Sequence, residues 1–356
     1  MTDAPRLVGP VEVIGAGLLG TSIALACRRA GLEVLLSDTS AEHLRTATGL
    51  GAGRALLAGD TRQLVVVAVP PDHLGATIAT ALAASDAVVT DVGSIKTGPL
   101  RAVRDEPGVA RYVGSHPMAG SERSGPLAAS AALFDGRPWA VAPHGSADPD
   151  AVALVEELAR LCGAVPVRLT PEEHDLAVAR TSHLPHLLAV LVAGRLADAP
   201  QAHLALSGQG VRDVTRVAGG DPALWQQIVT GNAEAVLGLL TEVRGQLDLL
   251  IEAVGAGSRD QLGALLARGV AGTQAIPGKH GGPARPTRSV YVAVPDQAGE
   301  LARLFADAGE IGINIEDVHI DHDPGRPVGL VELVVEEAGA EHLLASLESR
   351  GWVTHR

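Results

Sequence analysis

Apolar residues follow two rhythms along the chain. Over the first half, short runs rich in Val, Leu and Ile recur between longer Ala-rich stretches. LVGPVEVIGAG, LEVLLSD (Leu32 to Asp38), QLVVVAVP (ending at Pro70), DAVVTDVGS, RYVGSHP, PWAVAP and AVPVRL have the length and β-branched content of strands. The stretches between several of them fit helices. Strands that are apolar throughout, rather than at alternate positions, are covered on both faces. The pattern predicts an α/β domain on a mainly parallel, doubly wound sheet that runs to about Leu169.

After TPEEHD the strand rhythm stops, and Glu172 to Arg268 reads as Leu-rich helix. Asp221 with Pro222 is an N-cap followed by Pro at the first helical position, Asn232 is placed to cap the next helix, and Ser258 with Gln261 forms a capping-box pattern. The long apolar helix over Ala233 to Val254 needs a partner, either another helix or another subunit. Gly and Pro then dominate Ala271 to Arg288, a linker. The rest reads strand, turn, helix, strand, strand, helix, a small α+β module. The expected division is residues 1–170, 171–270, a linker at 271–288, and 289–356.

Composition narrows the class. The chain has 356 residues, is 46% hydrophobic and only 2% aromatic, so its core is packed from Ala, Val and Leu. A net charge of -13 repels phosphate backbones, so no nucleic-acid partner is expected. Cys27 and Cys162 are too few for a disulfide framework, have no metal-ligand spacing, and are expected as buried apolar groups. No metal is expected. Neither a leader nor an apolar stretch of about 20 residues is evident, so the expectation is a soluble, cytoplasmic protein with no membrane partner.

Candidate chemistry begins at VIGAGLLG. Gly15, Gly17 and Gly20 follow the first strand and open a helix, as a dinucleotide site requires: a tight turn, a close approach of backbone to pyrophosphate, and a helix packed on the sheet. Leu18, Leu19 and, at the end of the third strand, Pro70 belong to the same expected site. Asp38 ends the second strand, where its carboxylate accepts ribose hydroxyls and repels a 2′-phosphate, which favours NAD over NADP. This makes the first domain Rossmann-type.

A cofactor domain still needs a base and a cation for substrate. Ser94 in DVGSIK and His116 in GSHPMAG sit at the ends of the fourth and fifth strands, where ligands of such sheets bind. For His116 a solvent-exposed loop histidine is the alternative. In EEHDLAVARTSHLPHLLA, Asp175, Ser182 and His186 share one face of a regular helix, although Pro185 interrupts it. The adjacent His174 and His183 fit ordinary roles as partners of backbone carbonyls. Arg212 and Arg216 lie one helical turn apart, and arginine suits a carboxylate.

VIGAGLLGTSIA, DVGSIK, SHPMAGSERSG, HDLAVARTSHLPH and RDVTRVAGGDPALW, in that order, resemble the prephenate dehydrogenase family, the decarboxylating NAD enzymes of tyrosine biosynthesis. The resemblance covers nearly the whole chain. It implies a Rossmann domain followed by an all-α dimerisation domain, and a homodimer. It implies that His116 is catalytic, that Ser94 supports it, that Arg216 binds a substrate carboxylate, and that Glu122, Asp175, His186 and Trp225 line the substrate site. Prephenate is then oxidised with NAD and decarboxylated to 4-hydroxyphenylpyruvate; arogenate is the alternative substrate. The ordered motifs argue against a 3-hydroxyacid dehydrogenase of similar build. Ser94, His116 and Arg216 together argue against a non-catalytic NAD- and amino-acid-sensing regulator. The tail resembles an ACT domain, which implies an aromatic amino acid effector, with Gly299 in its first turn and Asn314 in the INIEDV segment that fits its second strand. Arg123 and Arg212 receive no role.

Overall fold

The computed structural model describes residues 6–120, 124–277, 286–322 and 328–355. The seven strands expected in the first half are present. They are β1 (Val11–Ile14), β2 (Val34–Ser37), β4 (Leu64–Val67), β5 (Val88–Asp91), β6 (Tyr112–Pro117), β7 (Pro138–Ala142) and β8 (Val165–Arg168), with a two-residue strand β3 (Arg54–Ala55) at the edge. β3 carries no apolar run, so the sequence pattern does not mark it. The order is β3-β2-β1-β4-β5-β6-β7-β8, parallel except where β6 meets β7. The chain winds outward in both directions from β1. This puts a crevice beyond the carboxyl ends of β1 and β4, where such sheets bind ligands. Val13, Val66 and Val113 bury one face of the sheet, and Val65, Val67 and Val89 the other. This two-sided burial is why the strands read as continuous apolar runs.

Thr170 turns the chain from sheet to helix. Its hydroxyl accepts from Glu173 N while the Glu173 carboxylate accepts from Thr170 N, a complete capping box worth about 1 kcal/mol. The helical run that follows is not regular. Pro171–Val178 is α-helical, Ala179–His183 forms a π turn, and Leu184–Ala197 resumes the α-helix. Contrary to the sequence expectation, the 27-residue run Pro171–Ala197 does have the length and apolar content of a membrane span, with a mean hydropathy of 1.4 over its most apolar stretch. Its polar residues His174, Asp175, His183 and His186 are buried in the protein, whereas only 28% of its most apolar stretch is. Asp221 caps Pro222–Gly231 through Ala223 N, as its sequence predicts. Asn232 precedes Ala233–Gly255, but its side chain turns inward, donating to the Asp175 carbonyl.

The chain forms two compact units, residues 1–249 and 250–356. In the second, β9 (Thr287–Pro295), β10 (Ile315–His322), β11 (Val328–Glu336) and β12 (Val353–His355) form an antiparallel sheet in the order β10-β11-β9-β12. Helices Glu300–Ile311 and Glu337–Ser349 complete a β-α-β-β-α-β unit of ferredoxin-like order. Val292, Val331, Leu304, Leu343 and Leu347 fill its core. The expected linker is shorter at both ends. The helix Arg259–Gln274 runs into it, since Ala and Gln sustain helix despite nearby glycines, and β9 begins at Thr287. Residues 278–285 lie outside the described residues.

Candidate active site

The fingerprint glycines play three different steric roles. At Gly15, with φ of +103°, a Cβ would lie 2.4 Å from the Ala68 carbonyl oxygen, and at Gly20 it would lie 1.9 Å from that of Gly15. Any side chain at either position would break the turn between β1 and the helix Leu18–Arg29. A Cβ on Gly17 meets nothing within 4 Å. The space over Gly17 is what a pyrophosphate needs at a helix start, so these residues fit a dinucleotide. Asp38 shapes the same crevice: its carboxylate accepts from Ala16 N and Ser40 N, both at 2.6 Å. Pro70 stands just beyond β4 at the start of the helix Pro71–Ala84.

At the end of β6 each residue of GSHP has a task. Side chains alternate along a strand, so Tyr112, Gly114 and His116 share a face. The Tyr112 hydroxyl donates to Asp91 Oδ1 at 2.8 Å, Gly93 N donates to Oδ2 at 2.9 Å, and the buried Lys96 ammonium bonds Oδ2 as well. Gly114 makes room for this pair, because a Cβ there would lie 3.0 Å from Lys96 Cδ. Ser115 faces the other way and donates to the Asp91 carbonyl at 2.8 Å. Losing either member of the Lys96–Asp91 pair would leave a buried charge uncompensated, at a cost of about 3–5 kcal/mol. Burial lowers the Lys96 pKa, and Asp91 pulls it back up.

His116 is partly accessible and faces the helical region. Its Nδ1 is 3.0 Å from His174 Nε2, and His174 Nδ1 is 2.8 Å from Asp175 Oδ1. Asp175 also accepts from Lys96 N at 2.8 Å, from Thr97 N at 2.9 Å and from the Thr97 hydroxyl. This joins the start of the helix Thr97–Val103 to the helix Pro171–Val178. Desolvation holds the His116 pKa well below its ordinary value; the neighbouring His174, Lys96 and His183 push the same way, and Asp175 opposes them.

The π turn changes which residues meet Asp175. A regular helix sets Ser182 under Asp175, but the π turn adds about one residue to the repeat and brings His183 there instead. Asn232 bridges the two, with its amide nitrogen 2.7 Å from the Asp175 carbonyl and 3.3 Å from His183 Nδ1. Ser182 is half-buried, and His183 and His186 are buried. Burial drives the His183 pKa down to about 4. His186 stacks on Trp225 with centroids 3.5 Å apart and planes 7° from parallel, and its buried Nδ1 has no hydrogen-bond partner among the described residues. Gly220 permits the stack, since a Cβ there would lie 2.4 Å from Trp225 Nε1.

Of the residues expected from sequence, the structure joins His116, Asp175, His186 and Trp225 into one connected cluster. Ser94 is half-buried in the loop before Lys96 and makes no hydrogen bond among the described residues. Arg216, at the end of the helix Gln209–Arg216, is exposed, as is Arg212. Glu122 and Arg123 lie outside the described residues. Lys96, His174, His183 and Asn232 join the cluster as well, although the sequence gives Lys96 no role, the two histidines only backbone partners and Asn232 only a helix cap. His174 and His183 turn to side chains rather than to backbone carbonyls. Their partners are distant in the chain, and no local pattern marks them. Among the described residues no group of three or more His, Cys, Asp or Glu is arranged to hold a metal. Cys27 and Cys162 are free and buried, as expected.

The family model for the prephenate dehydrogenase nucleotide-binding domain matches residues 23–168, and that for the prephenate dehydrogenase dimerization domain matches residues 170–268. A probable prephenate dehydrogenase of Streptomyces niveus, NovF, is 38% identical over 355 residues, covering 96% of this chain and 98% of its own. The chain belongs to the prephenate dehydrogenase family. As a member it is an NAD-dependent dehydrogenase. Its fold is similar to that of the A. aeolicus prephenate dehydrogenase, crystallised with hydroxyphenyl propionate and NAD+, at 26% identity and a TM-score of 0.68 over 74% of this chain and 96% of that one. It is also similar to Synechocystis arogenate dehydrogenase, at 28% identity and a TM-score of 0.63 over 74% of this chain and 98% of that one. Along this chain the matches to the two family models meet at the capping box of Thr170.

Proposed function

We propose that the protein oxidises and decarboxylates prephenate to 4-hydroxyphenylpyruvate in tyrosine biosynthesis, as a cytoplasmic homodimer. The observation that carries this reading is the neutral, partly accessible His116 at the end of β6, linked through His174, Asp175, Asn232 and His183 to the stacked Trp225 and His186. Gly15, Gly17, Leu18, Leu19, Gly20, Asp38 and Pro70 would hold NAD+, which when bound supplies the hydride acceptor. His116 accepts the proton of the ring hydroxyl as that carbon is oxidised. Ser94 orients the imidazole or shares the hydroxyl. Arg216 binds a substrate carboxylate, and Glu122, Asp175, Ser182, His186 and Trp225 line the site. With the ring held in place, loss of the ring carboxylate as carbon dioxide aromatises the product.

Likeness to an arogenate dehydrogenase supports a second reading, with arogenate as substrate. Exposed Leu191, Leu237, Ile251 and Val254 on long helices support the dimer. The ferredoxin-like order of the tail supports an ACT-like module that binds an aromatic amino acid, with Gly299 and Asn314 in its effector site. NADH formation followed by absorbance, with prephenate and arogenate offered in parallel, tests the reading. Prephenate is expected to give the higher kcat/KM. A strong preference for arogenate would transfer the assignment, and no NADH from either would overturn it.

A further inference from the structure

The contacts of His174 settle where the hydrogens lie in the buried line that ends at His116. Asp175 accepts from two backbone N–H groups, Lys96 and Thr97, and from the Thr97 hydroxyl. A carboxylate with these donors is ionised, and an ionised carboxylate only accepts. The 2.8 Å contact to His174 Nδ1 is therefore an Nδ1–H donating to Asp175. His174 is buried and its pKa is lowered, so it is neutral and carries one hydrogen. That leaves a lone pair on His174 Nε2. The 3.0 Å contact to His116 Nδ1 then needs its hydrogen from His116. The rings meet edge-on, 66° between planes, as an N–H pointing at an in-plane lone pair allows. The opposite tautomer of His116 would set two lone pairs against each other at that distance.

We propose that His174 is a positioning residue that fixes the tautomer of His116: it accepts the Nδ1 hydrogen and leaves His116 Nε2 bare to receive the substrate hydroxyl. The inference rests on the reading of His116 as the base and adds a residue to it. The proton moves from the hydroxyl oxygen to His116 Nε2 and stays there. The Nδ1–H bond to His174 persists, with Asp175 behind it to favour the imidazolium. Nothing needs to travel on to Asp175, whose work is orientation and charge. The groups that face His116 oppose one another: Lys96 before the helix Thr97–Val103 and His183 in the π turn disfavour its charge, His174 does the same if protonated, and Asp175 favours it.

The test reads hydrogens directly. Nitrogen-15 spectra of histidine-labelled full-length protein, without substrate, should show His116 with a protonated Nδ1 and a bare Nε2. A His116 protonated at Nε2 overturns the proposal. His174→Ala should shift His116 toward the Nε2–H form and lower kcat about 10–100-fold with KM for substrate within about threefold. His174→Gln, whose amide oxygen can still accept from Nδ1–H, should restore the tautomer, the position of the acid limb of the kcat profile and most of the lost rate. An unshifted tautomer with unchanged kcat in His174→Ala, or no recovery in His174→Gln, counts against it. If His174→Ala does not fold, the wild-type and His174→Gln spectra still decide. The spectra need no turnover, so they judge the tautomer whatever substitution of His116 shows about the base.

Discussion

A histidine that is to take a proton must be uncharged when substrate arrives. Burial at the end of β6, together with Lys96 and the histidines around it, keeps His116 so. Because its pKa is lowered, the neutral form persists below pH 6.5. The sign follows: kcat should hold through neutral pH and fall only as the pH drops through the lowered pKa, below the ordinary histidine range. His116→Asn should reduce kcat by about 10²–10⁴-fold with the circular dichroism spectrum unchanged, and a loss under about tenfold would refute its role as base. The place of His116 at the carboxyl end of a strand was legible, but that place alone left a loop histidine equally open, and the polar stripe from Asp175 to His186 was needed to favour a site. His174 was not, because its partner lies 58 positions away and a histidine beside an aspartate is common. Lys96 was present in a recognisable motif, but its burial against Asp91 depends on the tertiary packing beside Gly114 and has no sequence signal.

Among the elements, the run Pro171–Ala197 depends most on an irregularity. Its start was legible in the sequence, since Thr170 and Glu173 spell a capping box. The π turn at Ala179–His183 was not, because no residue type encodes an extra residue per turn and Pro185 drew attention to the wrong break. The turn swaps Ser182 for His183 beneath Asp175. Deleting the exposed Thr181 should let the helix become regular while making His183 the seventh residue after Asp175, so that His183 and His186 keep their faces. The expected outcome is retained helical content with kcat/KM within about tenfold of the parent. A loss of about 100-fold or more would show that the π turn itself, and not only the facing it sets, is required. The eight-stranded sheet, by contrast, was largely legible, because strands buried on both faces announce themselves and only the two-residue β3 escaped.

At the scale of the molecule, the strand and helix order of the tail was readable from its alternation, except β12, three residues with no run to mark them. The grouping of the chain into units at 249 and 250 was not, because it depends on which helix faces meet. Gly299, with φ of +96° at the start of the helix Glu300–Ile311, offers a test of regulation in the intact chain. Valine is disfavoured at such a φ. Gly299→Val should abolish any response of the enzyme to tyrosine or phenylalanine while leaving kcat without effector within about twofold. A full response in that variant would remove the effector from this turn.

The three tryptophans are distributed in a way that matters for experiment. Trp139 lies in the sheet core against Phe134, Trp352 lies in the tail beneath the Arg303 guanidinium, and Trp225 stacks face to face on His186. Each region thus carries its own fluorophore. An imidazole stacked this closely also puts Trp225 in contact with a quencher whose position any ligand at His186 would disturb. Intrinsic emission, resolved through single-tryptophan variants, can therefore time events at His186 separately from events in the tail, without any added label.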